Sequence, residues 1–480
     1  MKRTKIVCTI GPASETNAKL TKMVKAGLNV ARLNFSHGTY RHHAMLVRNV
    51  RAVSRTLHTP LAILQDLQGP RIRTGELPAE GIKIKTGQEV VLVPPGHREQ
   101  SGDRVRIPIQ YAGLYRDVKV GHSILIEDGT IHLKVLRIQK PLIVCRVIAG
   151  SLVKAHKGMN FPQSTISTPA ITDKDKQDLA FGVRQGVDFI ALSFVKDAND
   201  INRLRAMITA LEKRTRRSPS PIKIIAKIER PQAVKNFENI LRAADGIMIA
   251  RGDLGLEIPI ENLPLIQKHI IRRCQQEAKP VIVATQMLDS MIRNPVPTRA
   301  EVSDVANAIL DGTDAIMLSG ETATGTYPLQ AVQVMQKIAN QMESTEIAEQ
   351  EKLEEQLKKT DGVADGVAFA AQDLAEQLGA KIIVCATFSG FTGRAIAKFR
   401  PEVPLIALAV SERVRNQLCV SWGVQSALIP RSQTFADLLS NIRKFLVIHR
   451  LAKTGECAVV AAGYPFGKQI ATNTLYVLEV

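Results

Sequence analysis

The chain has 480 residues, which is too long for one average domain and predicts two to four. Apolar residues make up 45% of it, yet no uninterrupted apolar run approaches the roughly 18 residues that cross a bilayer, which excludes a membrane-spanning protein and predicts a soluble one. The net charge of +19 fits phosphorylated substrates, anionic effectors or nucleic acid without choosing among them. The six cysteines are scattered, which predicts neither disulfides nor a zinc site and favours a reducing, cytoplasmic setting.

Short apolar runs alternate with helical patterns through most of the chain. Such alternation indicates parallel βαβ units, and eight units are the number that closes a (β/α)8 TIM barrel. We therefore predict an α/β fold whose barrel comprises residues 1–70 and 169–342. The eight runs are Lys5–Ile10, Val30–Leu33, Leu61–Leu64, Phe189–Leu192, Ile222–Ile228, Gly246–Ala250, Val281–Ala284 and Ala315–Leu318.

Two further domains are predicted beside the barrel. Residues 71–168 interrupt it after the third run, and their short alternating strands and Gly/Pro turns predict a small β-barrel that acts as a lid. Residues 343–480 begin with a Glu/Gln/Lys-rich stretch that ends at Lys359, which we interpret as an exposed connecting helix. Five apolar runs follow and predict a small open α/β sheet.

Polar residues follow six of the eight barrel runs. Catalytic groups of such barrels lie at the carboxyl ends of the strands, and six polar ends at one rim are poorly explained by packing alone, so we predict one site. Its candidates are Arg32, Asn34, Ser36 and His37, then Asp66, then Lys227 and Glu229, then Arg251, Gly252 and Asp253, then Thr285 and Gln286, and finally Ser319, Gly320 and Glu321.

The residue types in this set indicate metal-assisted chemistry on a small phosphorylated acid. Lys227 and Glu229 lie two positions apart in an extended strand and share one face, an arrangement that by itself is most simply a buried ion pair. Glu229 and Asp253 supply two carboxylates suited to Mg²⁺. Lys227 and Arg32 supply positive charge for a transferring phosphoryl group.

At these positions the chain resembles the pyruvate kinase family. The resemblance implies phosphoryl transfer from phosphoenolpyruvate to ADP, giving pyruvate and ATP in glycolysis. It implies two Mg²⁺ ions, one arriving with the nucleotide, and a homotetramer, with neither nucleic acid nor membrane as partner. It rests on segments that span the whole barrel in the right order, namely Thr4–Ser14, Ala31–Gly38, Ile225–Glu229, Met248–Gly255, Ala284–Leu288, Pro297–Glu301 and Met317–Ala323.

The resemblance also implies a role for each matching residue. Glu229 and Asp253 would hold Mg²⁺, and Lys227 would neutralise the transferring phosphoryl group and the enolate that forms. The nucleotide would meet Asn34, His37 and Arg73. The substrate-binding set would be Arg32, Lys227, Ala250, Arg251, Gly252, Asp253 and Thr285, with the amides of residues 250–252 at the substrate carboxylate, and the catalytic set would be Lys227, Arg32, Thr285, Ser319 and Glu321.

One departure from the family pattern concerns K⁺. Many members carry Asp-Thr-Lys-Gly-Pro-Glu after the third strand and bind K⁺ beside it, whereas this chain has Asp66-Leu-Gln-Gly-Pro-Arg71. Because a cation replaces the glutamate, we predict that Arg71 supplies the charge that K⁺ provides elsewhere and that activity needs no K⁺. The residues that match the family's K⁺ ligands are nonetheless Asn34, Ser36, Asp66 and Leu67.

A loop of hydroxyls and glycines in the last domain is a candidate effector site. It contains Thr387, Ser389, Gly390, Thr392 and Gly393 between a predicted strand and helix. Such a loop can bind a phosphate, although the same residues also form ordinary helix caps. Its position resembles the family's sugar-phosphate effector site, which predicts activation by a phosphorylated sugar or nucleotide.

Two alternative functions remain open from the sequence. A related barrel enzyme could use the same carboxylates for aldol or lyase chemistry on pyruvate or phosphoenolpyruvate, but it would need neither the inserted domain nor Lys227. Alternatively, the net charge of +19 could serve nucleic-acid binding on a barrel scaffold, which salt-sensitive duplex binding without turnover would reveal.

Overall fold

The computed structural model of the chain describes residues 3–97, 104–215, 220–344, 362–465 and 470–480. Eight parallel strands form a closed barrel, a mainly antiparallel sheet is inserted into it, and a five-stranded α/β sheet follows. This confirms the predicted fold class. The connecting helix predicted up to Lys359 falls, beyond Ser344, outside the described residues.

The barrel begins with three strands and two helices. The side chains of Thr16 and Thr39 each accept a hydrogen bond from the first turn of the helix that follows, and so fix where the two helices start. The elements are β1 (Lys5–Thr9), α1 (Asn17–Lys25), β2 (Leu28–Asn34), α2 (Tyr40–Thr56) and β3 (Ala62–Asp66).

The inserted segment is an all-β unit with an apolar core of its own. Six of its strands form one sheet in the order β11-β7-β8-β9-β5-β6, and β4 pairs with β10. The elements are β4 (Ile82–Lys83), β5 (Glu89–Val93), β6 (Val105–Pro108), α3 (Leu114–Asp117), β7 (Ser123–Ile126), β8 (Ile131–Gln139), β9 (Leu142–Ala149), β10 (Leu152–Val153) and β11 (Met159–Asn160).

The chain then completes the barrel, and each of the eight apolar runs coincides with a barrel strand. Closure comes from β16, which pairs with β1 at Lys5↔Ala315. The elements are α4 (Asp173–Gln185), β12 (Phe189–Leu192), α5 (Ala198–Thr215), β13 (Lys223–Ile228), α6 (Pro231–Lys235), α7 (Phe237–Ala243), β14 (Gly246–Ala250), α8 (Arg251–Glu257), a 3-10 turn (Ile260–Asn262), α9 (Leu263–Gln276), β15 (Val281–Ala284), a 3-10 turn (Asp289–Ile292), α10 (Arg299–Leu310), β16 (Ala315–Leu318), α11 (Gly320–Ala323) and α12 (Pro328–Glu343).

Parallel pairing places the carboxyl ends of all eight strands at one rim of the barrel. Near this rim Thr9 is paired with Arg32, and Asn34 with Asp66. Helix α8 begins at Arg251, directly after β14, so Asp253 lies in its first turn.

The last domain contains the five predicted strands, in the order β19-β18-β17-β20-β21, with only β21 antiparallel. No helix in the described ranges is long and apolar enough to cross a bilayer. The elements are α13 (Val363–Gln377), β17 (Ile382–Thr387), α14 (Phe391–Ala397), β18 (Leu405–Ala409), α15 (Glu412–Gln417), a 3-10 turn (Leu418–Val420), β19 (Val424–Leu428), α16 (Phe435–Ile448), β20 (Cys457–Ala462) and β21 (Thr474–Glu479).

This domain closes the amino-terminal end of the barrel. Cys419 and Val420 pack into the apolar cluster formed by inward-facing strand residues. Gln417 donates hydrogen bonds to the carbonyls of Asp188 and Pro221, which lie just before β12 and β13. The far end of the barrel is therefore sealed, and only the carboxyl-terminal rim is available for a site.

Candidate active site

The centre of the rim is a buried carboxylate shared by two cations. Asp66, at the end of β3, lies 2.7 Å from Nε of Arg32 on β2 and 3.4 Å from Nζ of Lys227 on β13. Arg32 also donates to the hydroxyl of Thr9 at 2.7 Å, and Lys227 to the hydroxyl of Ser193 at 2.8 Å. The structure thus brings together three predicted site residues from three strands.

The protonation states of this group follow from its charges. Burial alone would raise the pKa of Asp66, but Lys227 and Arg32 outweigh burial and hold that pKa below its ordinary value. Burial would likewise lower the pKa of Lys227, yet the carboxylates of Asp66 and Glu229 raise it above its ordinary value. Lys227 is therefore an ammonium and Asp66 a carboxylate near neutral pH.

Glu229 is the second carboxylate that contacts Lys227, and its two oxygens have different partners. Its Oε2 accepts a hydrogen bond from the Phe194 amide at 2.6 Å. Its Oε1 forms a buried ion pair with Nζ of Lys227 at 2.8 Å and has no other partner among the described residues. Burial and the neighbouring Asp253 raise the pKa of Glu229.

This donor set fits a hard divalent cation. Glu229 offers a buried oxygen whose one close contact among the described residues is the Lys227 ammonium, and it stands beside a second carboxylate, that of Asp253, whose side chain is 17% exposed. Among the described residues no group of three or more His, Cys, Asp or Glu side chains is placed to hold a metal. Two protein carboxylates with the remaining positions left to substrate or water are what Mg²⁺ tolerates.

The start of α8 is held by Thr285. The Thr285 hydroxyl accepts a hydrogen bond from the Gly252 amide at 2.7 Å and donates to the Ala284 carbonyl at 2.6 Å. Thr285 has φ of +72°, a strained conformation for a β-branched residue. The Arg251 guanidinium is bound by Asp304 through two contacts of 2.6 Å and also donates to the Thr285 carbonyl at 3.1 Å, so protein groups already engage it.

Glu321 connects the loops that follow β15 and β16. Its carboxylate accepts hydrogen bonds from the Leu288 amide at 3.1 Å and from the Ser319 amide at 2.7 Å. The residue is 2% exposed, and burial raises the pKa of its carboxyl group. Its observed contacts position Ser319 and the loop that carries Thr285.

The candidate nucleotide residues lie at the end of β2 and in the inserted segment. His37 is exposed, and its carbonyl accepts a hydrogen bond from the His43 ring at 2.9 Å. Arg73 donates to the His156 carbonyl at 2.9 Å, and burial together with Arg71 lowers the pKa of its guanidinium. Asn34 accepts from the Ser36 amide at 3.1 Å.

Two of the four candidate K⁺ ligands, Asp66 and Leu67, are already engaged by protein groups. Asp66 forms ion pairs with Arg32 and Lys227, and the Leu67 carbonyl accepts a hydrogen bond from the Ser193 hydroxyl at 2.7 Å. Arg71 lies 3.3 Å from Asp253, on the metal side of the rim.

The effector loop follows β17 and lines a cavity in the last domain. Thr387 accepts a hydrogen bond from the Gly390 amide at 2.9 Å, Gly390 has φ of +79°, and the hydroxyls of Thr392 and Thr472 lie 2.8 Å apart. Thr387, Ser389 and Thr392 line the cavity together with mainly apolar side chains.

Two residues of the rim were not predicted. Thr9 and Ser193 stand at the carboxyl ends of the first and fourth runs, and they bind Arg32 and Lys227. Polar residues at the carboxyl ends of the other six runs were identified as site candidates, and the same rule applies to Thr9 and Ser193. A single hydroxyl after an apolar run is, however, a weak signal.

Comparison with known proteins agrees with this geometry. The family model for the pyruvate kinase barrel domain matches residues 1–332, and that for the pyruvate kinase alpha/beta domain matches residues 365–478. The chain belongs to the pyruvate kinase family. Pyruvate kinases are phosphotransferases, so this assignment also confirms the predicted enzyme class.

Individual relatives of the pyruvate kinase family match over nearly the whole chain. A pyruvate kinase of Geobacillus stearothermophilus is 45% identical over 99% of this chain and 80% of its own length. One from Clostridium acetobutylicum is 42% identical over 100% of both chains. A crystal structure of a pyruvate kinase from Cryptosporidium parvum superposes with a TM-score of 0.90 at 36% identity, covering 100% of this chain and 96% of that one.

Replacing the shared carboxylate should destabilise the barrel in a pH-dependent way. Asp66→Asn leaves Arg32 without its buried counterion and leaves Lys227 with Glu229 alone, and we expect a loss of about 3 kcal/mol in the free energy of unfolding at pH 7. Because the pKa of Asp66 is depressed, its contribution is complete above the unfolded value of about 3.9 and is lost as pH falls through the folded value. Denaturant unfolding is measured between pH 7 and pH 3 for both proteins. The difference in the free energy of unfolding between the parent and Asp66→Asn should be constant and should narrow only below about pH 4.

The matched control is Asp373→Asn, on the exposed face of α13, which should unfold like the parent at every pH. An Asp66→Asn protein as stable as the parent at pH 7 would contradict the role of this carboxylate.

Proposed function

We propose that this protein transfers the phosphoryl group of phosphoenolpyruvate to ADP, producing pyruvate and ATP in glycolysis. The observation that carries the proposal is the charged Lys227, held between the carboxylates of Asp66 and Glu229, with Glu229 next to the further carboxylate of Asp253. A fixed cation next to a metal-binding oxygen suits a transition state stabilised mainly by electrostatics. Family membership supports the same reaction.

Different residues of the rim bind different chemical groups of the substrate. The first amides of α8, from Ala250 to Gly252, receive the substrate carboxylate, which the positive end of a helix favours. Arg32 and Lys227 bind the phosphoryl group, and Lys227 then stabilises the enolate oxygen. Mg²⁺ held by Glu229 and Asp253 supplies charge neutralisation when bound, and a second Mg²⁺ accompanies the nucleotide.

Protonation of the enolate is assigned to the hydroxyl groups of the site. Thr285 is 2.7 Å from the Gly252 amide, so its hydroxyl lies at the carboxylate-binding end of the substrate. Ser319 is held by Glu321 on the neighbouring loop. We assign both hydroxyls to proton delivery, with Glu321 as the residue that positions Ser319.

ADP is proposed to bind between the barrel and the lid of residues 71–168. Asn34 and His37 lie at the end of β2, and Arg73 lies at the base of the lid beside Arg71. A nucleoside diphosphate placed between them would contact polar groups of the barrel and the two arginines of the lid, which favours closure of the lid over bound substrate.

The reaction is proposed to proceed without K⁺. Arg71 places a guanidinium where many relatives have a glutamate, and Asp66, a candidate K⁺ ligand, is already neutralised by Arg32 and Lys227. An internal cation beside the metal carboxylates makes an added monovalent cation redundant.

Regulation and assembly complete the proposal. The loop from Thr387 to Gly393 presents hydroxyls at a cavity mouth and is assigned to a phosphorylated sugar or nucleotide activator. Side chains of Ile260, Leu265 and Val296 are each more than 60% exposed, which supports burial between subunits of a homotetramer. We place the enzyme in the cytoplasm.

The reaction can be tested by coupled assay of pyruvate and ATP formation from phosphoenolpyruvate and ADP. Lys227→Met and Asp253→Ala should each lower kcat/KM by at least about 100-fold, because each removes charge that acts on the transition state. Lys223→Met is the matched control, since Lys223 lies at the opposite end of the same strand, paired with Asp245, and should leave turnover intact. Pyruvate formation without stoichiometric ATP would favour the lyase alternative.

The K⁺ prediction concerns Arg71. With tetramethylammonium as the only monovalent cation the parent should be fully active, whereas Arg71→Glu should become many-fold more active when K⁺ is added. Arg71→Lys keeps the charge and should remain insensitive to K⁺. A large K⁺ response of the parent contradicts the proposal.

The effector prediction is tested by titrating activity with fructose 1,6-bisphosphate, ribose 5-phosphate and AMP. At least one should activate the parent, and Ser389→Asp should abolish that response, because its charge repels a phosphate. Ser440→Asp, on the exposed face of α16, is the charge-matched control and should respond like the parent. Flat responses of the parent to all three compounds rule out the assignment.

A further inference from the structure

Arg71 lies between a metal-site carboxylate of the barrel and a carboxylate of the lid. Its Nη2 is 3.3 Å from Oδ1 of Asp253 and 3.5 Å from Oδ1 of Asp128. Both distances exceed the roughly 2.8 Å of a fully formed charge-assisted hydrogen bond. One guanidinium nitrogen is therefore shared between two carboxylates and fully bound by neither.

The lid hairpin that carries Asp128 is built to approach the site closely. Glu127 and Asp128 both have φ of +53°, and Gly129 has φ of +85°, so three consecutive residues adopt the left-handed conformation. Such strain in non-glycine residues persists where the surroundings require a particular side-chain direction. The turn is anchored by the Glu127 amide, which donates to the Gly158 carbonyl at 3.0 Å.

Two glycines provide room for this approach. A Cβ at Gly158 would lie 2.8 Å from Nε of Arg71, so any side chain there would displace the guanidinium. A Cβ at Gly129 would lie 3.3 Å from Cδ2 of Leu256, so the hairpin tip packs closely on α8. The lid is thus in contact with the helix that carries Asp253.

A second contact joins the lid to the end of α8. Glu257 accepts hydrogen bonds from Nδ2 of Asn160 at 3.0 Å and from the Phe161 amide at 3.1 Å. Asp253 therefore stands on a short helix that the lid holds at Leu256 and Glu257, while Arg71 links Asp253 to the lid tip directly.

We propose that Asp128 and Arg71 are positioning residues that set the affinity of Asp253 for its divalent metal ion. The inference rests on the metal site assigned under the proposed function. When the lid tip draws Arg71 onto Asp128, the charge of Asp253 is released for the metal. When the tip withdraws, Arg71 returns to Asp253 and competes with the metal. By reciprocity, metal binding favours the lid position in which Arg71 lies on Asp128.

We call this action of Asp128 on Asp253 through Arg71 the relay. A double-mutant cycle distinguishes the relay from simple charge attraction between each residue and the metal. Binding of Mn²⁺ to the full-length protein without substrate is measured by electron paramagnetic resonance for the parent, Arg71→Gln, Asp128→Asn and the double variant. Arg71→Gln should tighten Mn²⁺ binding by roughly three- to tenfold, and Asp128→Asn should weaken it by a similar factor. In the double variant the effect of Asp128→Asn should disappear, because Asp128 acts only through Arg71.

The matched control is Glu127→Gln, which removes a carboxylate one residue away that pairs with Lys157 instead of Arg71, and should leave Mn²⁺ affinity unchanged. Asparagine tolerates the left-handed conformation as aspartate does, so Asp128→Asn retains the turn. If Arg71→Gln fails to fold, Arg71→Met replaces it, since the guanidinium is 28% exposed and methionine keeps its apolar stem.

Two outcomes overturn the relay, namely additive effects in the cycle or unchanged Mn²⁺ affinity in Asp128→Asn. Neither outcome bears on the proposed reaction, which turnover of phosphoenolpyruvate and ADP by the parent tests separately. Conversely, a positive cycle in a protein without that turnover would retain the relay and refute the reaction.

Discussion

The carboxylate of Asp66 is the interaction on which the rest of the site depends. Lys227 and Arg32 are largely buried, and neither cation would be tolerated at the barrel mouth without a counterion. The barrel supplies it because β3 lies next to β2 and is separated from β13 only by β12. One buried aspartate thus fixes two cations where a transferring phosphoryl group requires positive charge.

The two carboxylates that face Lys227 differ because their other neighbours differ. Asp66 has a second cation, Arg32, and its pKa is depressed, whereas Glu229 has a second anion, Asp253, and its pKa is raised. The lysine therefore separates a neutralised side of the rim from a side with excess negative charge. That second side is where we propose that a divalent metal binds, and Arg71 lies 3.3 Å from its Asp253 carboxylate.

The barrel and most of its rim were predictable from the sequence because both follow from local periodicity. Apolar runs mark buried parallel strands, and the polar residue after each run is carried to the rim by topology, which is why Lys227 and Glu229 meet as predicted. The partner of Arg71 was not predictable, because its distance to Asp253 depends on how the lid packs against α8. The left-handed conformation of Thr285 also lies beyond local preference, since a β-branched residue adopts it only where tertiary contacts impose it.

The last domain is part of the barrel's structure as well as an addition to it. In the candidate effector loop, a Cβ at Gly390 would lie 3.2 Å from Cδ2 of Leu418, so the loop rests against this side chain. Leu418 begins the 3-10 turn whose next two residues, Cys419 and Val420, enter the interior of the barrel. The Trp422 amide, just beyond, donates to Asp314 at the start of β16 at 3.0 Å. A close-packed interior does not absorb a displacement gradually, so a ligand that moved Leu418 would move the innermost layer of the barrel with it.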